Sequence, residues 1–443
     1  MDARRRGPAT WKRRDRFNRR DRAGRVSAGC LPARDRGGGD HRAESRNARG
    51  DRSIRAPKVS RERLGRECTA APSRLTPGPL TDSGPGRLRP FQREDLPEVV
   101  ALRRQAFRYS ERKRTERLVA YLERIFYDHP WADPELPALV YEDERGRVAG
   151  FLGVIPRPLL FQGAPIRAAV ATQLMVAPES RGLVGRRLFR AFLAGPQDLS
   201  LSDTANDAAR LLWASLGGSV SVTHSLTWTR ALRPYRHYAS RASSGGPARR
   251  LAWLAARPLL SVADVCAARI GGPFRQQMPP GATEHLDPAV MAATLPRLVG
   301  PRALRPLYED GSLGWLLEQA ADKRQFGELR QRLVRGPRGE VAGWFLYYCD
   351  GGGVGQVLQV AAARSGQALV LRHLFYDAWR EGLAAVAGRV EPALAAELGA
   401  QRCRFERTGP WMLIHSQRTE IMHAIVCGAA FVSRLEGEWW LSF

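Results

Sequence analysis

The sequence predicts an α/β protein made of two copies of one unit behind an Arg-rich leading segment. Three observations predict it. The apolar spacing switches between strand and helix periods from residue 88 to 216. Short motifs from that stretch recur in the same order in the C-terminal half. The charge is concentrated at the front: residues 1–86 hold 23 Lys and Arg against 10 Asp and Glu in a chain of net charge +26.

Residues 1–86 show no sustained apolar periodicity, and such a segment cannot bury enough apolar surface to offset the entropy of ordering. It is expected to be a disordered linker or an upstream extension; no second Met occurs before Met175, so an internal start would need a non-Met codon. A basic arm can hold anions through charge alone, but nucleic acid is not the expected partner. No run of about 18 uninterrupted apolar residues occurs, so no membrane span is expected, and the basic start lacks the apolar core of a secretory signal. The six cysteines include no CxxC pair. That argues against a zinc site and a disulfide framework, and for a reducing cytoplasm.

The elements follow in order. Leu88–Phe91 reads as a strand, with Asp95 the expected cap of a helix carrying Pro97 in its first turn. A second helix is expected over Thr115–Asp128, with Leu118, Tyr121, Leu122, Ile125 and Phe126 on one face. Ala138–Asp143 and Val148–Ile155 flank the turn Glu144-Arg145-Gly146-Arg147 as a hairpin. Leu159–Phe161 and Ile166–Val176 form another. A glycine-containing loop, Pro178–Gly185, leads into a helix over Arg186–Leu193. A strand at Leu199–Ser202 and a helix at Asn206–Leu216 complete the unit. Residues 231–285 read as a connector, with an amphipathic helix around Ala248–Ala256 that breaks near Pro258. Trp253, Leu254 and the arginines 249, 250 and 257 would suit a membrane surface, but packing against the neighbouring domains is the expected role.

The repeat is read from three echoes. Arg145–Leu152 is matched by Arg338–Phe345, Leu174–Ala177 by Leu358–Ala361, and Leu212–Gly218 by Leu394–Ala400. The second loop, Ala363–Ala368, has a single glycine and is followed by a helix over His373–Arg380. Glu391-Pro392 stands where the first copy has Asn206. The expected organisation is 1–86 disordered, 87–230 first domain, 231–285 connector and 286–443 a degenerate second domain. Trp344, Trp379, Trp411, Trp439 and Trp440 in that half are expected mostly in its core.

The stretch Val176–Gly218 carries the chemistry. A strand runs into Pro178-Glu179-Ser180-Arg181-Gly182-Leu183-Val184-Gly185, and Arg186 follows. Free backbone N–H groups at such a turn, with the positive end of a helix, make an anion site. Glycine lets a phosphate approach the backbone. Arg181, Arg186 and Arg187 supply charge suited to a pyrophosphate. Further on come Asn206, Ala209, Leu212, Trp213 and Gly217-Gly218.

Together these two elements resemble the GNAT superfamily of N-acetyltransferases, whose pattern is a strand, an Arg-Gly-x-Gly-x-Gly loop and helix, then a strand and Asn-x-x-Ala-x-x-Leu-Tyr-x-x-x-Gly-Phe. Leu88-Arg89-Pro90 with Glu94-Asp95-Leu96 resembles the family's start. The resemblance covers residues 87–230 well, 285–443 as an echo, and 1–86 not at all. It implies a mixed sheet with helices on both faces and acetyl-CoA between two parting central strands. It further implies that the backbone of Met175 and Val176 pairs with the pantetheine. Arg181, Gly182, Leu183, Val184, Gly185 and Arg186 would hold the pyrophosphate, and Asn206 would approach the pantetheine arm. No metal is expected.

Two departures stand out. The loop is one residue short and lacks the middle glycine. The family's Tyr, an acid for the departing thiolate, is replaced by Trp213, whose indole N–H only donates a hydrogen bond. An attacking amine must also lose a proton, so a base is needed. Asp203 is the first candidate, with a helix cap as its alternative role; His224 and Glu179 are weaker ones. The expected function is transfer of an acetyl or short acyl group to a small-molecule or peptide amine. The alternative is a GNAT-like protein that binds acyl-CoA or another ligand without turnover.

Overall fold

A computed structural model describes residues 86–441 except 108–114, 243–245, 271, 273, 301 and 310. The expectation for residues 1–85 therefore lies outside the described residues.

The first half runs β1 (Arg87–Pro90), α1 (Leu96–Phe107), α2 (Thr115–Phe126), β2 (Leu139–Glu142), β3 (Val148–Phe161), β4 (Ala164–Val176), α3 (Leu183–Leu193), β5 (Leu199–Ala205), α4 (Asp207–Ala214), β6 (Ser219–Val220) and β7 (Thr227–Ala231). A helical pair follows, α5 (Pro234–Ala242) and α6 (Pro247–Arg269). The second half runs β8 (Ala282–His285), α7 (Pro288–Val299), β9 (Leu304–Pro306), α8 (Ser312–Ala321), β10 (Glu328–Arg335), β11 (Val341–Cys349) and β12 (Val354–Ala362). It ends with α9 (Gln367–Arg380), β13 (Ala385–Arg389), α10 (Ala395–Ala400), β14 (Arg404–Glu406), β15 (Trp411–His415) and α11 (Thr419–Val426).

These strands make two mixed sheets. The first has the order β1-β2-β3-β4-β5-β15-β6, with β9 added to β3; the second has β14-β7-β13-β12-β11-β10-β8. In each, one parallel pair sits among antiparallel neighbours: β4 with β5, and β12 with β13. The halves trade strands. β7, which closes the first half in sequence, pairs with β13 in the second sheet. β15, near the end of the second half, lies between β5 and β6 in the first. The sheets thus do not divide at residue 230, and Ala282–His285 of the expected connector is the edge strand β8, paired with β10.

Local differences have local causes. Asp95 does not cap α1. It closes a capping box on the preceding 3₁₀ turn, accepting from the Gln92 N–H at 2.8 Å, and it pairs with Arg89. β3 is one strand where two pieces are expected. Pro156 and Pro158 are two residues apart, so their missing N–H groups face one edge. That edge lies past the last β2 partner at Leu152 and before the β9 pairing begins at Leu159, so no ladder bond is lost there. α6 runs through Pro258, which lies on its exposed side. There water can take up the carbonyl a proline leaves unpaired.

The cores form where amphipathic helices cover the sheets. Val184, Leu188, Phe189 and Phe192 of α3 are buried. Gly150 of β3 makes room for α3, since a Cβ there would collide with Val184. Trp344, Trp439 and Trp440 are buried as expected; Trp379 and Trp411 are half-exposed.

Candidate active site

β4 and β5 run together over three residue pairs, Ala168–Leu199, Ala169–Ser200 and Val170–Leu201. β4 stays on β3 as far as Val176, but through a register shift near Gln173, whose φ is +50°. A bulge of this kind bends its strand and raises the local twist. From residue 171 onward β4 diverges from β5, and the gap opens towards the loop before α3.

That loop is a 3₁₀ turn, Pro178–Ser180, then Arg181 and Gly182. Gly182 is the N-cap of α3 with φ +97°, which non-glycine residues rarely adopt, and no side chain caps the helix. Arg181, Gly182 and Leu183 are exposed, whereas Val184 and Gly185 are buried. The first-turn N–H groups and the helix dipole of α3 are thus offered to solvent beside the gap. Arg186 donates to Ser215 Oγ at 3.0 Å and Arg187 to Tyr141 Oη at 2.9 Å. Arg186 is thus held towards the end of α4, while Arg187 is held over β2, away from the gap. Met175 is buried and Val176 half-buried on the β4 side of the gap.

Asn206 is exposed and caps α4, accepting from the Ala209 N–H at 2.9 Å. The cap role considered for Asp203 therefore belongs to Asn206. Asp203 itself is fully buried. Its carboxylate accepts from Arg389 at 2.8 Å and from the backbone N–H of Glu438 at 2.8 Å. Burial raises its pKa, and Arg389 acts in the opposite direction. His224 is also buried, bonded to Ser221 Oγ at 2.7 Å, and burial lowers its pKa to about 3. Glu179 is exposed in the 3₁₀ turn beside the loop.

Trp213 is fully buried between Phe189 and Phe192 and donates its indole N–H to the Ile414 carbonyl of β15 at 3.2 Å. This position is a core position packed under an exchanged strand.

The residues that sequence reading missed lie in the last turns of the chain. Phe431–Leu441 is buried throughout and bonds to both sheets. Glu438 sits at the gap of the first sheet, accepting from Ser202 Oγ at 2.6 Å and from the Thr204 N–H at 3.2 Å. Burial raises its pKa, and the nearby Asp203 adds to the effect. Gly437 is tight against Asp203: a Cβ there would collide with the carboxylate. Arg434 reaches the second sheet, donating to the Val357 carbonyl at 3.0 Å. Lys323 donates to the carbonyls of Trp439 and, at 2.8 Å, Leu441. Burial lowers its pKa to about 8. No spacing rule could place Glu438 beside Ser202, 236 residues away in the chain. The available signal was three charged residues, Arg434, Glu436 and Glu438, within a run ending in two tryptophans. Among the described residues, no group of three or more His, Cys, Asp or Glu side chains converges as a metal site.

A mixed sheet parting beside a glycine-started helix defines a fold of the acyl-CoA acyltransferase type. Residues 87–218 match the acetyltransferase (GNAT) domain family, which places that domain in the GNAT superfamily. Acyl transfer is the chemistry of the family. No curated protein matches the chain. Among solved structures, it is similar to a GCN5-related N-acetyltransferase from Anabaena variabilis, with 14% identity, 74% of this chain and 72% of that one covered, and a TM-score of 0.48. Another similar structure is a GCN5-related N-acetyltransferase from Kribbella flavida, with 16% identity, 74% and 70% covered, and a TM-score of 0.45. A third is Saccharomyces cerevisiae N-myristoyltransferase, with 12% identity, 76% and 81% covered, and a TM-score of 0.43.

Proposed function

We propose that the protein transfers an acetyl or short acyl group from acyl-CoA to an amine of a small molecule or peptide, using the first sheet. The observation that carries this reading is the gap between β4 and β5 beside the exposed, uncapped start of α3. In this reading the N–H groups of Gly182–Gly185 and the Arg181 and Arg186 side chains hold the pyrophosphate. The unpaired edge of β4 at Met175 and Val176 takes the pantetheine amides, and Asn206 lies alongside. The degenerate second half shapes the acceptor side, and the work is done in the cytoplasm. The CoA chemistry supplies the thioester; the chain must supply orientation and a proton acceptor.

For that acceptor we propose Asp203 acting with Glu438. Two nearby buried carboxyls with raised pKa values hold a proton more readily than free ones, which suits them to deprotonating an ammonium near neutral pH. One observation favours the second reading, binding without turnover. Glu438 already occupies the gap and Trp213 is unavailable as an acid.

The test is calorimetry of the full chain with acetyl-CoA and with desulfo-CoA. Micromolar binding of both, abolished by Arg181→Glu, supports the cofactor site, and an amine screen then separates the two readings. No binding at millimolar cofactor refutes the donor assignment.

A further inference from the structure

Between β7 and β8 the chain inserts the pair α5–α6. The described elements of the first half hold no counterpart to it. The inner side of α6 is fastened to α5. Asp264, the one acidic residue in 247–270, is buried, and its carboxylate accepts from the N–H groups of Tyr235 at 2.9 Å and Arg236 at 3.2 Å. α5 in turn rests on the second sheet's surroundings, with Arg236 donating to the Gly352 carbonyl at 3.3 Å.

The outer side of α6 is apolar where a surface helix is ordinarily polar. Leu251, Leu254, Leu259, Val262 and Val265 are exposed, Leu251 by 68% and Leu259 by 75%. At 100° per residue they fall within an arc of roughly 140°. Exposed Ile270 follows the helix end, and exposed Tyr235 and Tyr238 of α5 lie beside it in the same helical pair. The exposed charges of the helix are all positive: Arg249 and Arg257 lie about 60–80° outside that arc on its two flanks, Arg269 lies within it at the last turn, and no carboxylate of the helix faces out. By length and composition Leu251–Arg269 could cross a membrane, yet only 6% of it is buried within the protein. The tie from Asp264 to α5 holds one side of it against protein, which suits a helix lying in a surface and not one crossing it.

We propose that the α5–α6 pair docks on an anionic lipid surface, with α6 in the plane of the interface. The apolar stripe enters the acyl boundary, the arginines meet lipid phosphates, and the tyrosines sit at headgroup depth. Charge complementarity selects this occupant. Two copies of the stripe packed together would leave the arginines of both helices without an acid of either helix to pair them, since Asp264 is already tied to α5. A chain of net charge +26 is drawn to an anionic bilayer before contact.

The experiment is flotation of the full chain with phosphatidylcholine vesicles and with vesicles that also contain phosphatidylglycerol. Wild type is expected to float with the anionic vesicles only. Leu259→Glu with Val262→Glu should weaken binding at least about tenfold, and Arg257→Glu with Arg269→Glu should weaken it and flatten its salt dependence. These side chains are exposed, so unchanged circular dichroism is expected in both variants. Failure of wild type to bind overturns the proposal. So does full binding by the Leu259→Glu, Val262→Glu variant, which would assign the affinity to residues 1–86 or another basic surface. A dimer in sedimentation that this variant dissociates, without vesicle binding, would assign the stripe to a second copy.

Discussion

Asp203 near the end of β5 and Arg389 at the end of β13 bind each other, 2.8 Å apart, with both side chains buried. The parallel pairing starts at Ala168–Leu199 in one sheet and Val354–Ala385 in the other, and each residue lies four further along its strand. An acid of the first sheet thus meets a base of the second. Arg389 also donates to the Val432 carbonyl, and Asp203 takes the Glu438 N–H, so the pair anchors the last turns of the chain.

Removing one partner leaves the other charged and buried. Asp203→Ala or Arg389→Met should each cost about 3–5 kcal/mol, while the double variant should cost clearly less than the sum. Urea denaturation of the four proteins measures this. Additive losses would mean the two groups do not stabilise one another.

The phosphate loop can be tested without touching the core. Gly182→Ala places a Cβ in open space, so its cost is the φ of +97°, about 1 kcal/mol. Gly182→Glu adds a negative charge at the helix start and should lower acetyl-CoA affinity at least about tenfold beyond Gly182→Ala. Calorimetry compares them; equal affinities would exclude the loop as the anion site.

Trp213→Phe should destabilise by about 1–3 kcal/mol, because it leaves the Ile414 carbonyl unpaired and a void beside Phe189. Trp213→Tyr should not raise the acyl-transfer rate, since the site is a core position. A large rate gain in Trp213→Tyr would show that the residue faces the thioester after all.

Burial lowers the pKa of His224 to about 3 and of His129 to about 4, against an ordinary 6.5. Arg389 faces His224 and Arg157 faces His129, both acting in the same direction. The unfolded chain therefore binds more protons between those values, and stability rises with pH there. It is complete above about pH 6.5 and falls as the pH drops towards 3. His224→Gln should flatten part of this slope in thermal melts from pH 4 to pH 7. An unchanged slope would place the acid sensitivity elsewhere.

The exchanged strands predict that a fragment of residues 87–230 will not fold alone. It lacks β15, whose Leu413 and Ile414 are fully buried between β5 and β6, and it leaves β7 without β13. Circular dichroism and solubility of the fragment, alone and with residues 231–443 added, would show it. A folded monomer would mean that β7 can take the place of β15.

The sequence by itself determined what depends on neighbours along the chain. Apolar period and turn residues mark α1, α2, β4 and α3 to within a few residues. Gly182 with Arg181 marks the loop, and Asn206 starts a helix because its side chain can reach the Ala209 N–H three residues on. What only the tertiary structure decided depends on long-range placement. Trp213 could be read as exposed chemistry or as core, and its place under β15 decides for core. Asp203 has no local feature that shows it buried in an ion pair. Its partners Arg389 and Glu438 lie 186 and 235 residues away. The strand exchange is equally silent in sequence, because a strand's alternation fixes which face it buries but not which sheet it joins.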